Sequence, residues 1–338
     1  LRWGVAGCGQ IASDFSEALR VTPGAELAAC AARDGDRAKA FAVAHSFARS
    51  HTGYEALAAD PDVDVVYVAV QNAQHEAVAV QLMRSGKAVV LEKPAAPTAE
   101  GLQRILDVAK ECNVLFLEGM WTKFCPAVKA MLSRVKELGP VESSMGDFSF
   151  FGNLDEPEGR EEIAQVLDPT YGGALLDIGV YPLALTLACH PEGPVSVASR
   201  MVLDPKGSGA DVNGSCVLGF GETGVAACAW GMRSVGANRF QCGTPTASLE
   251  LESPAHAPTV LVIRKQDEEE VERIEFPHPQ RLEGAPEPNF GACTSAFRYE
   301  AEAVMAALRE GALEVAGHTW ADSLKLVGLV EAVRRGGV

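Results

Sequence analysis

The chain is predicted to be α/β, with a doubly wound parallel sheet first and then an α+β domain built on a large, mostly antiparallel sheet. Three observations predict this. A strand, a glycine turn and a helix open the chain at Arg2–Leu19. Strand and helix patterns then alternate through six strands, ending at Val114-Leu115-Phe116-Leu117-Glu118. From Val195 on, the pattern changes to strands with short links such as Gly221-Glu222-Thr223-Gly224, which suit hairpins.

The first strand runs into Gly7-Cys8-Gly9-Gln10-Ile11-Ala12, a G-x-G-x-x-A sequence. In the Rossmann reading Gly7 makes the tight turn, and Gly9 lets backbone approach a pyrophosphate. The small Ala12 lets the helix pack on the strand. Gln10 and Ile11 begin a helix whose free N–H groups and partial positive charge favour an anion. The alternative is a plain tight turn between strand and helix. The second strand, Glu26–Ala32, ends in Arg33-Asp34, with Arg37 one helical turn on. Two guanidinium groups suit a 2′-phosphate, so NADP is expected rather than NAD. Asp34 has two readings, a helix N-cap or a carboxylate for an NAD ribose.

The strand Val63–Val70 ends in Gln71-Asn72, and Asn72 is either a ribose or nicotinamide ligand or a turn residue. His75 opens the next helix and is read as structural. The apolar run Val89-Val90-Leu91 then ends in Glu92-Lys93-Pro94. Charged residues are rarely buried alone, and ligands of open α/β sheets bind beyond the strands' carboxyl ends. Lys93 is therefore placed beside a nicotinamide, with Glu92 in the cofactor site; a surface lysine in a β-turn is the competing reading. After the sixth strand, Trp121 and Phe124 either wall a substrate pocket or join two domains through an apolar patch, and Lys123 is read as reaching cofactor phosphate.

In the second half, residues 152–170 form a polar loop that could cover a ligand, with Asn153 and Asp155 suited to a polyol. Tyr171-Gly172-Gly173 precedes a helix through Ala188 that carries Asp177 and Tyr181, four apart and so on one face. Gly172 and Gly173 let that helix start close to another surface. A carboxylate and a phenol on an apolar helix need partners; these are catalytic, or a structural Asp–Tyr hydrogen bond.

The 338 residues suit two domains, expected at 1–120 (dinucleotide) and 121–338 (substrate and dimerisation), with the last helix, Trp320–Val333, packed back on the first. Hydrophobic residues at 47% and charged residues at 22% describe a globular chain. A net charge of -16 repels phosphate backbones, so nucleic acid is not expected as a partner. No apolar run is long enough to span a bilayer. No positive-then-apolar leader precedes the first strand, so no signal peptide is expected. Nine scattered cysteines without Cys-x-x-Cys point to reduced thiols and a cytoplasmic location. The seven histidines show no metal-binding spacing, and no metal site is expected.

With these residues in place the chain resembles the glucose–fructose oxidoreductase/inositol dehydrogenase/MocA family. The marks are Gly7-Cys8-Gly9, Glu92-Lys93-Pro94, and Gly172-Gly173-Ala174-Leu175-Leu176-Asp177-Ile178-Gly179-Val180-Tyr181. Within it, Leu1–Gly4, Ser13-Asp14-Phe15, Ala31–Asp34, Arg37-Ala38-Lys39 and Trp121-Thr122 with Phe124 are similar to the dihydrodiol and D-xylose dehydrogenase branch. The resemblance implies NADP-dependent oxidation of a carbinol in a small diol or sugar, and a homodimer formed through the antiparallel sheet. It implies Lys93 and Tyr181 as the catalytic pair with Asp177 as partner; the substrate set is then Trp121, Phe124, Asn153, Asp177 and Tyr181. Two competing readings are a non-catalytic nucleotide or sugar sensor of the same fold, and a redox-neutral enzyme that returns its hydride.

Overall fold

The computed structural model describes residues 1–336. Its elements in chain order begin with β1 (Arg2–Ala6), α1 (Gln10–Arg20), β2 (Glu26–Ala32), α2 (Gly35–His45), β3 (Arg49–Thr52), α3 (Tyr54–Ala58), β4 (Val65–Val68), α4 (His75–Arg84), β5 (Ala88–Glu92), α5 (Ala99–Cys112) and β6 (Phe116–Gly119). There follow α6 (Pro126–Leu138), β7 (Ser143–Ser149), α7 (Pro157–Glu162), α8 (Val180–Cys189), β8 (Ser196–Leu203), β9 (Asp211–Phe220), β10 (Gly224–Gly231), β11 (Phe240–Gly243), β12 (Ala247–Leu251), β13 (Val260–Lys265) and β14 (Val271–Glu275). Helices α9 (Phe297–Arg309) and α10 (Trp320–Gly336) close the chain.

The chain forms two compact units. One contains Leu1–Ala96, Glu100–Phe124 and His278–Ser323; the other contains Pro97–Ala99, Cys125–Pro277 and the chain from Leu324 on. In the first, six parallel strands lie in the order β3-β2-β1-β4-β5-β6, the doubly wound order with its switch between β1 and β4. Every residue of β4 and β5 is buried, as expected of a strand covered on both faces. Phe15 of α1 stacks on Tyr67 of β4, with ring centres 3.7 Å apart.

In the second unit eight strands lie in the order β14-β13-β12-β11-β7-β10-β9-β8, antiparallel except for the parallel pair β7–β10. Helix α8 covers one face closely. A side chain at Gly146 of β7 would come within 3.1 Å of Pro182, and one at Gly179 within 3.0 Å of the Trp230 ring. These two glycines let the chain lie tight on the sheet on both sides of Tyr181.

One local expectation changes. The helix carrying Asp177 and Tyr181 is not uniformly α-helical: Leu175–Gly179 winds as a π-turn before α8 begins at Val180. A four-residue spacing that stacks side chains in an α-helix falls short of a full turn in this wider winding.

Candidate active site

The glycine turn is built differently at its two glycines. Gly7 has φ +96°, and a Cβ there would sit 2.3 Å from the Ala69 carbonyl oxygen, so only glycine fits. Gly9 is extended (φ −96°, ψ −173°) and caps α1 with no side-chain hydrogen bond. A Cβ at Gly9 would meet nothing within 4 Å. The protein's own packing does not demand glycine there; open space above the free N–H groups of a helix start does suit a phosphate.

At the tip of β2, Asp34 accepts hydrogen bonds from the N–H groups of Asp36 (2.9 Å) and Arg37 (3.1 Å), which makes it the N-cap of α2. Of its two readings the structure adopts the cap. Arg37 Nε donates to the Cys8 carbonyl at 3.1 Å, which sets its guanidinium beside the glycine turn. Arg33 and Arg37 are exposed, and among the described residues neither forms an ion pair. Asn72 lies half-buried in a single 3-10 turn ahead of α4. These residues fit a dinucleotide with a 2′-phosphate.

The end of β5 is held from several sides. Buried Glu92 accepts hydrogen bonds from the Tyr67 hydroxyl and, at 3.2 Å, from the Lys93 N–H. Buried His75 sets Nδ1 2.9 Å from the Pro94 carbonyl and Nε2 3.1 Å from that of Val70. Burial lowers its pKa to about 4, so at neutral pH the ring is uncharged and donates to only one of the two. The structure thus agrees with a structural His75. Glu118, at the end of β6, accepts the Ala95 N–H at 2.9 Å and faces His318 Nε2 at 3.2 Å. Burial pushes its pKa up, but the hydrogen bonds from His318, Ala95 and Ser323 outweigh that, and the group stays ionised. Lys93, half-buried, therefore follows a strand end that Tyr67, His75 and Glu118 fix in place.

Beyond β6, Trp121 is nearly buried and packs on Phe297 with ring centres 4.6 Å apart, and Phe124 is wholly buried. Lys123 is only 8% exposed, and its ammonium lies 3.4 Å from Asp322. Glu300 on α9 is wholly buried, and neither of its oxygens finds a hydrogen-bond partner among the described residues. Burial, followed by the nearby Glu92, drives its pKa well above the usual carboxylate range.

In the second unit, Gly172 and Gly173 lie against their own chain. A Cβ at Gly172 would sit 2.4 Å from the Val166 carbonyl oxygen; one at Gly173 (φ +93°) would sit 2.1 Å from Asp211 Oδ1. The close surface expected from sequence is the Asp211 carboxylate. Asp211 Oδ2 accepts the Leu175 N–H (2.8 Å) and the Trp230 indole N–H (3.0 Å), and so holds the turn that carries half-buried Asp177. Tyr181 is buried, with its ring 5.5 Å from Phe148 and 5.8 Å from His256. Asn153 is exposed in a left-handed turn (φ +48°), and Asp155 is paired with Arg233 at 2.9 Å.

Three positioning residues escape a sequence reading: Asp211, Glu118 and His318. Glu118 and His318 are 200 positions apart, and no local pattern connects them. Among the described residues no group of three or more His, Cys, Asp or Glu could hold a metal ion.

Residues 1–120 match the oxidoreductase family described by its NAD-binding Rossmann fold. Over 345 residues the chain is 32% identical to trans-1,2-dihydrobenzene-1,2-diol dehydrogenase of Homo sapiens, covering 99% of this chain and 96% of that one. It is 31% identical to the Bos taurus enzyme of the same name over 343 residues, with the same two coverages. Among solved structures, KijD10, a 3-ketoreductase from Actinomadura kijaniata in complex with NADP and TDP-benzene, superposes with a TM-score of 0.79. It is 27% identical and covers 99% of this chain and 97% of that one. Similarity of this degree along nearly the whole length, together with the glycine turn and the Glu92-Lys93-Pro94 strand end, means that the chain belongs to the glucose–fructose oxidoreductase/inositol dehydrogenase/MocA family of oxidoreductases.

Proposed function

We propose that this enzyme uses NADP to oxidise a carbinol of a small diol or sugar, such as a trans-dihydrodiol or an aldose like D-xylose. The observation that carries the cofactor choice is the pair of exposed guanidinium groups, Arg33 and Arg37, at the tip of β2, where Asp34 Oδ1 is engaged as the cap of α2. The substrate class rests on the likeness to the dihydrodiol dehydrogenases. The cofactor set is Gly7, Gly9, Gln10, Ile11, Arg33, Arg37, Asn72, Glu92, Lys93, Trp121 and Lys123. Residues 1–120 are assigned the dinucleotide and residues 121–338 the substrate and dimer contacts.

When bound, NADP supplies the acceptor for the hydrogen that the carbinol carbon gives up. Tyr181 takes the hydroxyl proton. A phenol of ordinary pKa ~10 is ionised only about one part in a thousand at neutrality. The positive charge of Lys93 favours the phenolate, and a two-unit fall would raise that fraction roughly a hundredfold. Asp177 orients the substrate hydroxyl.

Tyr181→Phe and Lys93→Met are each expected to lower NADPH formation from D-xylose or a trans-dihydrodiol by roughly 10²- to 10⁴-fold, with NADP still bound. Full turnover in both variants would remove the pair from the mechanism. Silence of the unaltered enzyme across a diol and sugar panel would remove the substrate class.

The dimer is assigned to the outer face of the second unit's sheet. Met145, Ala227, Val217 and Ala198 stand side by side across β7, β10, β9 and β8, and Met145 and Val217 are more than half exposed. An apolar row of this kind on an open face suits a second copy. Sedimentation should give twice the chain mass, and Met145→Glu with Val217→Glu should halve it. A chain that sediments as a monomer without substitution would end this assignment.

Among the described residues no helix is long and apolar enough to cross a membrane. All nine cysteines are free thiols, which suits a reducing, cytosol-like compartment.

A further inference from the structure

A proton taken up by Tyr181 must leave again before the next turnover, and Tyr181 is buried. Two rings stand against it. The ring centre of Phe148, on β7, lies 5.5 Å from that of Tyr181 at a tilt of 49°. That of His256, in the link between β12 and β13, lies 5.8 Å away at a tilt of 51°. The imidazole itself lies flat on Phe148, with centres 4.3 Å apart and planes 2° from parallel.

The link that carries His256 is held in place. The Ala255 N–H donates to the Asn238 carbonyl at 2.8 Å. Asn238 is tied in turn to β7: its N–H donates to Asp147 at 2.9 Å, and its side-chain oxygen accepts the Ser149 N–H at 2.7 Å. Tyr181, His256, Phe148, Asp147, Arg239 and Phe240 all line one cavity of about the size of a water molecule. Its two charged members are engaged. Asp147 accepts the N–H groups of Asn238 and Arg239, and the Arg239 guanidinium pairs with Glu250 at 2.7 Å. The Nδ1 atom of His256 is buried while the residue as a whole is only half-buried, so the ring reaches from the interior toward solvent.

We propose that His256 carries the Tyr181 proton out of the site, across the cavity that phenol and imidazole share. This rests on Tyr181 being the base of the proposed oxidation. Of the two rings against Tyr181, Phe148 has no group that takes a proton, whereas an imidazole takes and gives one near neutral pH. In the first step the substrate O–H bond breaks and an O–H bond forms on the Tyr181 phenolate. In the second the phenol O–H bond breaks and an N–H bond forms on His256, which restores the phenolate and leaves an imidazolium. The imidazolium then gives one proton to water and is neutral again. One proton is released for each carbinol oxidised, as the reaction requires, and no electrons move in the relay.

The test follows NADPH formation from D-xylose and from a trans-dihydrodiol in the unaltered enzyme, His256→Phe, His256→Ala and Tyr181→Phe. NADP affinity and melting temperature are measured for each, so that a loss of folding is seen as such. His256→Phe keeps a flat ring on Phe148 and removes the proton carrier. It is expected to lower kcat roughly tenfold or more, with KM not raised and NADP affinity kept, and to raise the solvent deuterium isotope effect on kcat. His256→Ala should lose as much. Added imidazole should restore that variant several-fold, because the free base fits the space left, and should leave His256→Phe unchanged. Full kcat in His256→Phe overturns the inference. A loss that imidazole does not restore, or one that appears as a raised KM, also overturns it and makes His256 a wall of the site. Tyr181→Phe separates this inference from the reading beneath it. A silent Tyr181→Phe beside His256 variants at full rate keeps Tyr181 as the base and removes only the relay. Full turnover in Tyr181→Phe removes the base, and the relay with it.

Discussion

The two glycine pairs of this chain, Gly7 with Gly9 and Gly172 with Gly173, look alike as sequence and are used in opposite ways. In the second pair both glycines are required by the protein's own atoms: Val166 oxygen fills the place of one Cβ and Asp211 oxygen that of the other. In the first pair only Gly7 is so required, and beside Gly9 there is open space. A glycine whose missing side chain is replaced by the fold itself serves stability. Gly9, whose φ is ordinary and whose missing side chain leaves a gap beside the free N–H groups of a helix start, leaves room for a ligand.

The sharpest way to break the contrast is Gly173→Ala. A positive φ and a methyl 2.1 Å from Asp211 Oδ1 are expected to cost about 3 kcal/mol or more, read as a large fall in melting temperature. An unchanged melting temperature would show that Asp211 can move aside and that the pair is not structural.

Gly9→Ala tests the other half. With nothing within 4 Å, the methyl should change stability by less than about 0.5 kcal/mol. It should raise the NADP dissociation constant about tenfold, which is about 1.4 kcal/mol of binding. Normal NADP affinity in this variant would take the glycine turn out of the cofactor site.

The smallest effect is expected from Asp34→Ala, which removes an N-cap worth about 1 kcal/mol. The preference for NADP over NAD should not change, since Asp34 Oδ1 is engaged at the start of α2. A marked loss of NAD use would return Asp34 to the ribose.

Much of the first unit was legible because its signals are local. Strand, turn and helix at Arg2–Arg20 follow one another within a few residues, and the run Ala88–Glu92 reads as buried because it is. The strands from β8 to β14 were legible for the same reason, since hairpin partners are near in sequence. What stayed hidden was set by distant partners. Asp34 had two sound readings until its carboxylate was seen on two backbone N–H groups. The π-turn at Leu175–Gly179 leaves no mark in an apolar run that suits any helix. The ion pair of Lys123 with Asp322 stayed hidden because the two lie about two hundred positions apart.

By itself the sequence determined the order of strands and helices, the glycine turn, the Glu92-Lys93-Pro94 strand end and the family. Each is written in neighbouring residues, through backbone preference and the spacing of apolar side chains. Only the tertiary structure decided which glycine is packed and which is open, which carboxylate caps a helix, and that Asp211, Glu118 and His318 hold the functional segments in place. The physical reason is that close packing and the pairing of buried polar groups depend on distances between residues that the chain separates by tens to hundreds of positions.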